Sequence, residues 1–453
     1  MKNILLFATA TIISLWVAAQ PCAGKRYAND VFTNLVMDSA IHYGFNLNED
    51  GSGDSLTLDF YQPANDTAKI RPLIIWAHGG AFIDGSRQDS DMVSLSQHFA
   101  KKGFACASIN YRLVANPFNL IGDTTAMTEA VIRAAQDMKA AIRFFYKDRL
   151  TADRYKIDTT NIFIGGSSAG AFTSLHVAYL KRNCQIYPYL GGASLSDSVQ
   201  LAQLEGLDGY SGNQCYSSKI NGVINLCGAL GVYAWLEKGD IPLCSMHGTL
   251  DGTVPYGSGE VILSGIPVIH VDGSRMIYQQ AQTVSVQNNF YTWLGAGHMP
   301  YYGNTPSALL YMDTTVNFVR DFLIGRLGIA CSDLQPADTP YGNASLYAYT
   351  PCTGNTAPSN CSLLGIQNQA GNLFEKIYPN PSANSITVFF NNSISVNPVY
   401  SIELLDRTGR RVKMDTCLQT SYKLEKDNLE AGIYFLKVCD KVGNTSVKKI
   451  IFE

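Results

Sequence analysis

The sequence predicts an α/β domain, built on a mostly parallel sheet with helices on both faces, followed by a small β-sandwich. Three observations carry this. From Ser55 to Leu327, short apolar runs rich in β-branched and aromatic residues alternate with stretches of helical period. Strands that are separated by helices pair in parallel, because each crossover lays its helix on a face of the sheet. After residue 371 the strand-like runs follow one another with only turn residues between them, the spacing of a β-sandwich. A length of 453 residues suits such a core domain with an appendage, and 46% apolar against 16% charged residues describes a packed chain.

Each element follows in order. The opening MKNILLFATATIISLWVAA has one lysine, an apolar run from Ile4 to Ala19, and small residues at Val17 and Ala19, so residues 1–19 are read as a secretory signal. No other stretch approaches the ~20 apolar residues of a span, and stable membrane insertion is not expected. Cys22 follows closely, but the Ala-Gln-Pro before it does not resemble a lipobox, so lipidation is not expected. Residues 25–327 form the first domain. Its strands are read in SLTLDFYQP, PLIIWAHGG, ACASINYRL, NIFIGG, GVINLCGA, IPLCSMHG and NFYTWLGAG. Val131, Ala135, Met138, Ile142 and Phe145 recur at helical spacing, as do Leu309, Met312, Val316, Val319 and Leu323. Both stripes are core. That last helix ends at Leu327, where Gly328 is placed to cap it. Residues 328–371 are dominated by Gly, Pro, Asn, Ser and Thr and are read as a linker. Residues 372–453 form the sandwich, with strands in SITVFF, YSIELLDRTGRRV, SYKLEK, GIYFLKV and VKKIIF.

Charge and cysteine content narrow the function. A net charge of −3 without a long basic run excludes a nucleic-acid footprint. Eleven cysteines fit an exported chain. Cys106, Cys227 and Cys244 sit in apolar strand-like runs and are read as buried thiols. Cys184, Cys215, Cys331, Cys352, Cys361, Cys417 and Cys439 lie in polar surroundings and are candidates for disulfides whose pairing stays open. No Cys/His spacing suggests zinc, so no metal is expected.

The chemistry concentrates in NIFIGGSSAG, Asn161 to Gly170, where an apolar strand stops on small residues and runs into a helical segment. Gly-x-Ser-x-Gly between strand and helix makes a turn so tight that residues two before and two after the serine must lack bulk. Two frames compete. Ser168 has Gly166 and Gly170 at its flanks, whereas Ser167 has Gly165 and Ala169. Only the first frame puts glycine on both sides and leaves the Ala169 N–H at the head of the helix, so Ser168 is the candidate nucleophile. Upstream, LIIWAHGGAF ends a strand in His78-Gly79-Gly80-Ala81, a loop able to turn backbone N–H groups toward an oxyanion. Downstream, Asp251 lies just past one strand and His298 in a Gly-rich loop past the next. Asp240 and Asp272 are alternative acids, but Asp251 has the strand-end position that catalytic residues take in open α/β sheets.

On HGGAF, INYRL, GSSAG, HGTLDGTVPY and GAGH, residues 50 to 327 resemble an α/β-hydrolase of the HGG-type esterase/lipase and carboxylesterase group. The resemblance implies Ser168 as nucleophile, Asp251 as acid and His298 as base, with Gly79, Gly80, Ala81 and Ala169 lining the oxyanion hole and no cofactor. Two departures stand out: Ala81 replaces a glycine common in the family, and Asn110 stands where an aspartate is frequent before Tyr-Arg-Leu. His78 and His247 are read as turn-shaping residues; His42, His98, His176 and His270 are read as structural or solvent-facing. Segments 114–126 and 184–218 are expected to build a cap over the pocket.

The expected function is a secreted carboxylic-ester hydrolase acting on short-chain acyl groups, acetyl or hydroxycinnamoyl, including esters linked to polysaccharide. The rivals are a serine peptidase of the prolyl-oligopeptidase kind, and an inactive hydrolase-fold binding protein. IYPNPSANSITV, LLDRTGRRV, AGIYFLKV and KKIIF make residues 372–453 resemble the C-terminal sorting domain of type IX secretion, which implies that machinery as a partner and the cell surface or medium as destination. Read without the family, this β-sandwich could equally bind carbohydrate.

Overall fold

A computed structural model describes residues 22–120, 123–190, 201, 204–331, 334, 340–352, 373–390, 400–406, 410–440 and 445–453. The signal run at 1–19, much of the linker and parts of both expected cap segments lie outside the described residues. The chain divides into two compact units, Met1–Asn360 and Cys361–Glu453.

The first unit is built on one eight-stranded sheet. In chain order its elements are β1 (Leu35–Leu47), β2 (Gly53–Pro63), β3 (Arg71–Ala77), α1 (Ser90–Lys101), β4 (Ala105–Ile109), α2 (Thr124–Leu150), β5 (Ile157–Ser167), α3 (Ala169–Tyr179), β6 (Gly222–Leu226), β7 (Ala229–Leu230), β8 (Leu243–Gly248), β9 (Ser258–Leu263), β10 (Ile266–Gly273), α4 (Ser274–Thr283), β11 (Asn288–Trp293) and α5 (Pro306–Arg326). The strand order is β1-β2-β4-β3-β5-β6-β8-β11. From β4 through β11 neighbouring strands run parallel, and β2 and β1 are added antiparallel at one edge. The α/β fold with a mostly parallel sheet is therefore present.

The pleat explains the continuous apolar runs. In β3 every residue is buried. Leu73, Ile75 and Ala77 pack into a core with Val131, Met138, Ile142 and Phe145 of α2. Ile74 and Trp76 pack on the other face with Met92, Leu95 and Phe99 of α1 and Val316, Val319 and Leu323 of α5. A strand covered on both faces has no polar side to alternate with. At the end of α5, Gly328 takes φ +69 and donates to Gly325 O, while Ile329 donates to Ile324 O, which closes the helix as expected of a C-terminal glycine.

Two features were not read from the sequence. One is β1, whose register against β2 is broken by two irregularities and whose residues are mostly exposed. The other is a three-stranded sheet, β7-β10-β9, in which the β9–β10 hairpin between β8 and α4 pairs with β7, the short strand that follows β6.

Part of the segment read as linker is a strap on the first unit. Cys331 is bonded to Cys22 and Cys352 to Cys184. The sulfur of Cys22 is thus engaged. Between them, Tyr347 donates its hydroxyl to Asp272 Oδ2 at 2.7 Å, Arg275 donates to Gly342 O at 3.0 Å, and Tyr341 N donates to the Tyr256 hydroxyl at 3.0 Å. Cys106, Cys227 and Cys244 are buried thiols, each pushed well above its ordinary pKa by burial.

The second unit is a sandwich of two antiparallel sheets. Its strands are β12 (Phe374–Tyr378), β13 (Ser385–Phe390), β14 (Tyr400–Leu405), β15 (Arg411–Cys417), β16 (Ser421–Glu425), β17 (Gly432–Asp440) and β18 (Thr445–Phe452). The sheets run β12-β13-β16 and β15-β14-β17-β18. Alternate residues such as Ile386, Val388 and Phe390 on one sheet, and Ile402, Leu404, Leu436 and Val438 on the other, close a single core.

The strap makes a stability prediction. Replacing Cys184 and Cys352 together by serine opens a loop of 168 residues and is expected to destabilise the first unit by roughly 2–4 kcal/mol. A urea midpoint equal to that of the parent chain would show that the strap contributes nothing. A chain ending at Asn360 should melt like the intact first unit, and one ending at residue 335 should melt lower.

Candidate active site

The site begins with one constrained turn. β5 lies between β3 and β6, with Gly166 opposite Ala77 and Ser167 opposite Leu226. A Cβ on Gly166 would meet Ala77 O at 2.4 Å, and one on Gly170 would meet the same oxygen at 2.0 Å. Only glycine fits at either place. Ser168, between them, takes φ +52 and ψ −116, with its N–H donated to Leu226 O and its carbonyl accepting from Phe172 N at the head of α3. Its neighbour Ser167 points elsewhere: fully buried, it accepts a hydrogen bond from the Tyr301 hydroxyl at 2.8 Å.

The candidate acid and base come from two laced loops. Asp251 lies three residues beyond β8 and His298 five beyond β11, and Leu250 N donates to Ala296 O at 2.9 Å. Gly248 has no room for a side chain, since a Cβ there would lie 2.4 Å from Ala296 O. The structure brings Ser168, Asp251 and His298 together. His298 Nε2 is 2.9 Å from Ser168 Oγ and its Nδ1 is 2.7 Å from Asp251 Oδ2. Asp251 Oδ1 accepts from the backbone N–H groups of Thr253 and Val254, both at 2.9 Å. Burial pushes the Asp251 carboxyl up, but the hydrogen bonds from His247 and His298 outweigh it and hold the group well below the usual carboxylate range. The alternative acids are engaged elsewhere: Asp240 pairs with Lys181 at 2.7 Å, and Asp272 accepts from Tyr233 N and the Tyr347 hydroxyl.

The His78–Ala81 loop presents its N–H groups by anchoring its carbonyls. His78 O accepts from the Tyr111 hydroxyl at 2.8 Å, and Gly79 O accepts from His78 Nδ1 at 2.7 Å. Gly80 O accepts from Ile83 and Asp84. Across a trans peptide the following N–H points the opposite way, so the donors of Gly79, Gly80 and Ala81 face away from those anchors. A Cβ on Gly79 would sit 3.5 Å from Ser168 Cβ. Ala169, as the first residue of α3, has an N–H with no intrahelical acceptor. Gly80 needs its φ of +98, because a Cβ there would meet Asp84 O at 2.0 Å, while Ala81 tolerates φ +54 as an alanine. Asn110 makes no ion pair; its Oδ1 accepts from Arg87 N at 2.7 Å, and the buried pair of this region is Arg112 with Asp137.

Ser168, Ala81 and Ala169 open into a narrow, mostly apolar cavity. Met127 and Val131 of α2, Phe172 of α3, and Ile186 and Tyr189 line it, so the start of the expected cap segment 184–218 contributes, whereas the described residues of 114–126 do not. The remaining wall is unforeseen: Val261 and Leu263 of β9 and Ile269 and Val271 of β10. Also unforeseen is His176, two turns along α3 from Ser168. It is buried, lines the cavity, and donates Nδ1–H to Phe172 O at 2.8 Å. Burial pulls its pKa down to about 4. At neutral pH its Nε2 is therefore a bare acceptor in apolar surroundings. Nothing in the sequence separates this histidine from an ordinary core residue.

Among the described residues, one group of potential metal ligands has donor atoms within 4.8 Å of one another: Cys227, Asp251 and His298. Two of these are already hydrogen-bonded to each other.

Known proteins resemble parts of this chain. The family described as BD-FAE matches residues 58–265, a span that holds Ser168 and Asp251 and stops before His298. The secretion system C-terminal sorting domain matches residues 376–453. Carboxylesterase 3 of Pongo abelii is 32% identical over 124 residues, 27% of this chain and 20% of that protein. Carboxylesterase 1D of Mus musculus is 27% identical over 158 residues, 35% of this chain and 25% of that protein. The chain thus spans a quarter or less of the length of these curated relatives. Esterase 2 of Thermogutta terrifontis, solved after phosphorylation by paraoxon, superposes with a TM-score of 0.46 at 18% identity, covering 66% of this chain and 96% of that one. The first unit is thus similar to esterases of this kind over part of its length, and the tail is similar to secretion-sorting domains over residues 376–453.

The turn geometry predicts which serine reacts. Ser168→Ala and His298→Ala should each abolish labelling by a fluorophosphonate, whereas Ser167→Ala should keep most of it. Peptide mapping that found the label on Ser167 would overturn the choice.

Proposed function

We propose that the first unit hydrolyses carboxylic esters through an acyl-enzyme on Ser168, and that the chain does so outside the cell. One observation carries the reading: an unbroken hydrogen-bonded line from Asp251 through His298 to Ser168, ending at the mouth of an apolar cavity.

A serine hydroxyl is a weak nucleophile, so His298 Nε2 takes its proton as Oγ attacks the ester carbonyl. Asp251 fixes the imidazole tautomer with Nδ1 protonated and stabilises the imidazolium. Negative charge on the carbonyl oxygen is met by the N–H groups of Gly80, Ala81 and Ala169, with Gly79 alongside, each donor worth roughly 3 kcal/mol in comparable sites. The imidazolium returns its proton to the leaving alcohol. Water, deprotonated by the same imidazole, then releases the acid. The triad and the backbone donors suffice for every step.

The cavity suits the acyl side. Its walls are mostly apolar, and their lining includes His176, whose Nε2 is an acceptor roughly 12 Å along α3 from Ser168. This supports acyl groups with an apolar body, and polysaccharide-linked esters, including acetyl and hydroxycinnamoyl ones, are the finer proposal. The tail supports delivery through the type IX secretion machinery to the surface or medium, where the two disulfides would be stable.

On p-nitrophenyl esters kcat/KM is expected to rise from acetate through butyrate to hexanoate, by up to about fourfold per methylene. Val131→Trp should erase that rise and spare acetate. A screen on acetylated and feruloylated glycans tests the finer proposal. Turnover of a Pro-linked peptide anilide instead of esters would favour the peptidase rival, and turnover of neither would favour a binding protein. In a native host, deleting residues 372–453 should leave the enzyme in the periplasm; normal appearance in the medium would remove the sorting role.

A further inference from the structure

His247 lies behind the candidate acid. It sits in β8, its side chain fully excluded from solvent, and its Nε2 is 3.1 Å from Asp251 Oδ2 and 3.2 Å from Val254 O. Both partners are acceptors, so a bare lone pair between them would be repelled; Nε2 must carry a hydrogen. The other ring nitrogen, Nδ1, meets Ser274 Oγ at 2.7 Å. Ser274 in turn receives Asn225 Nδ2 at 2.9 Å, and Asn225 is itself fixed by Gly228 N and Ser245 Oγ. The chain of contacts reaches from the head of α4 to the centre of the sheet without touching solvent.

This completes the shell of Asp251. Oδ1 accepts two backbone N–H groups, and Oδ2 accepts His298 Nδ1 and His247 Nε2. Four donors on a carboxylate with no exposed surface occupy its in-plane acceptor positions. Among the described residues, the other titratable groups facing this cluster are the Cys227 thiol and the Tyr301 hydroxyl, both held up by burial, and Tyr256, whose ring meets His247 edge-on at 5.7 Å.

We propose that His247 is a positioning residue of the triad: its Nε2–H holds Asp251 in one rotamer and draws charge from Oδ2, and so sets how strongly Asp251 stabilises the His298 imidazolium. The inference rests on the ester-hydrolase reading only for its kinetic readout. With the fourth donor in place, the carboxylate is a weaker base, and His298 gives up its proton at lower pH.

The test compares His247→Phe, which keeps a ring and loses the donor, with His247→Gln, whose Nε2 amide reaches the same position. In the phenylalanine variant the acid limb of kcat/KM against pH should move up by about half to one unit, since a hydrogen bond to a charged group is worth roughly one pKa unit or more. The plateau should fall roughly tenfold. The glutamine variant should restore the limb to within a few tenths of a unit. A purely structural histidine would lower the melting temperature or the plateau and leave the limb in place. Titration of the His298 Cε1–H resonance in the full chain gives the same comparison without any substrate, so an absence of ester turnover would be separable from failure of this proposal. An unmoved limb and resonance in His247→Phe, a downward shift, or equal shifts in both variants would each overturn it. If His247→Phe does not fold, Ser274→Ala, which releases Nδ1, should shift the His298 resonance in the same direction, and no shift there would also overturn it.

Discussion

The turn that holds Ser168 is the constraint on which the candidate site depends. Its backbone occupies a sparsely populated region at φ +52 and ψ −116, a strain of roughly 1–3 kcal/mol that the surroundings must offset. They do so by contact at the limit of approach: the α-carbons of Gly166 and Gly170 are packed against the carbonyl of Ala77, where neither could bear a side chain. That contact requires β3 to lie beside β5. Once it does, the loop leaving β3 at His78 has no path except past the serine. The His78–Ala81 loop and Ser168 are neighbours because the strands are neighbours, and the same logic brings the loops after β8 and β11 to the same edge of the sheet.

Electrostatics then divides the buried titratable groups into two kinds. Asp251 is kept charged by donors, and its depressed pKa makes it a stabilising group above the ordinary carboxylate range, near pH 4, with that stability lost as pH falls through its folded value. His78 and His176 have few partners, and burial keeps both neutral. Asp91, on α1, is shifted in the same sense, toward its neutral form. Burial pushes its carboxyl up to about 6 against a pull from the Ser167 hydroxyl. A raised carboxylate pKa favours the folded state while the group is protonated, and that advantage is lost as pH rises from about 4 through about 6. Neutral imidazoles can accept or donate in fixed directions, whereas Asp251, ringed by donors, can hold a charge beside His298.

What the sequence revealed and what it hid differ in range. The strands and helices of the sheet, the Ser168 frame and the Gly79–Ala81 loop were readable because each is decided within a few residues: glycine where a carbonyl comes too close, apolar runs where both faces are covered. Asp251 and His298 needed only strand order. The buried fate of Cys106, Cys227 and Cys244 followed from their apolar neighbours, but the pairings Cys22–Cys331 and Cys184–Cys352 join positions 309 and 168 residues apart and leave no local trace. β1 carries no clean alternation because it is an exposed, irregular edge. His247 and His176 looked ordinary, since what distinguishes each is the group it faces across the fold.

The cavity shows the same division in physical form. Ser168, Asp251 and His298 stand within five residues of strand ends, so their positions are inherited from the sheet. The walls are assembled from α2, the β9–β10 hairpin and the turn around Tyr189. These are tied together indirectly. Asp272 at the end of β10 accepts from Tyr233 N beside the cavity and from the Tyr347 hydroxyl of the strap, and the strap is pinned by Cys352 to Cys184, two residues before Ile186 of the wall. A change in wall or strap can therefore reshape what the cavity accepts without moving the hydrogen bonds among Ser168, His298 and Asp251, whereas a change at Gly166 or Gly170 would displace the serine itself. Chemistry and selectivity in this fold are carried by different contacts, and only the first set is written locally in the chain.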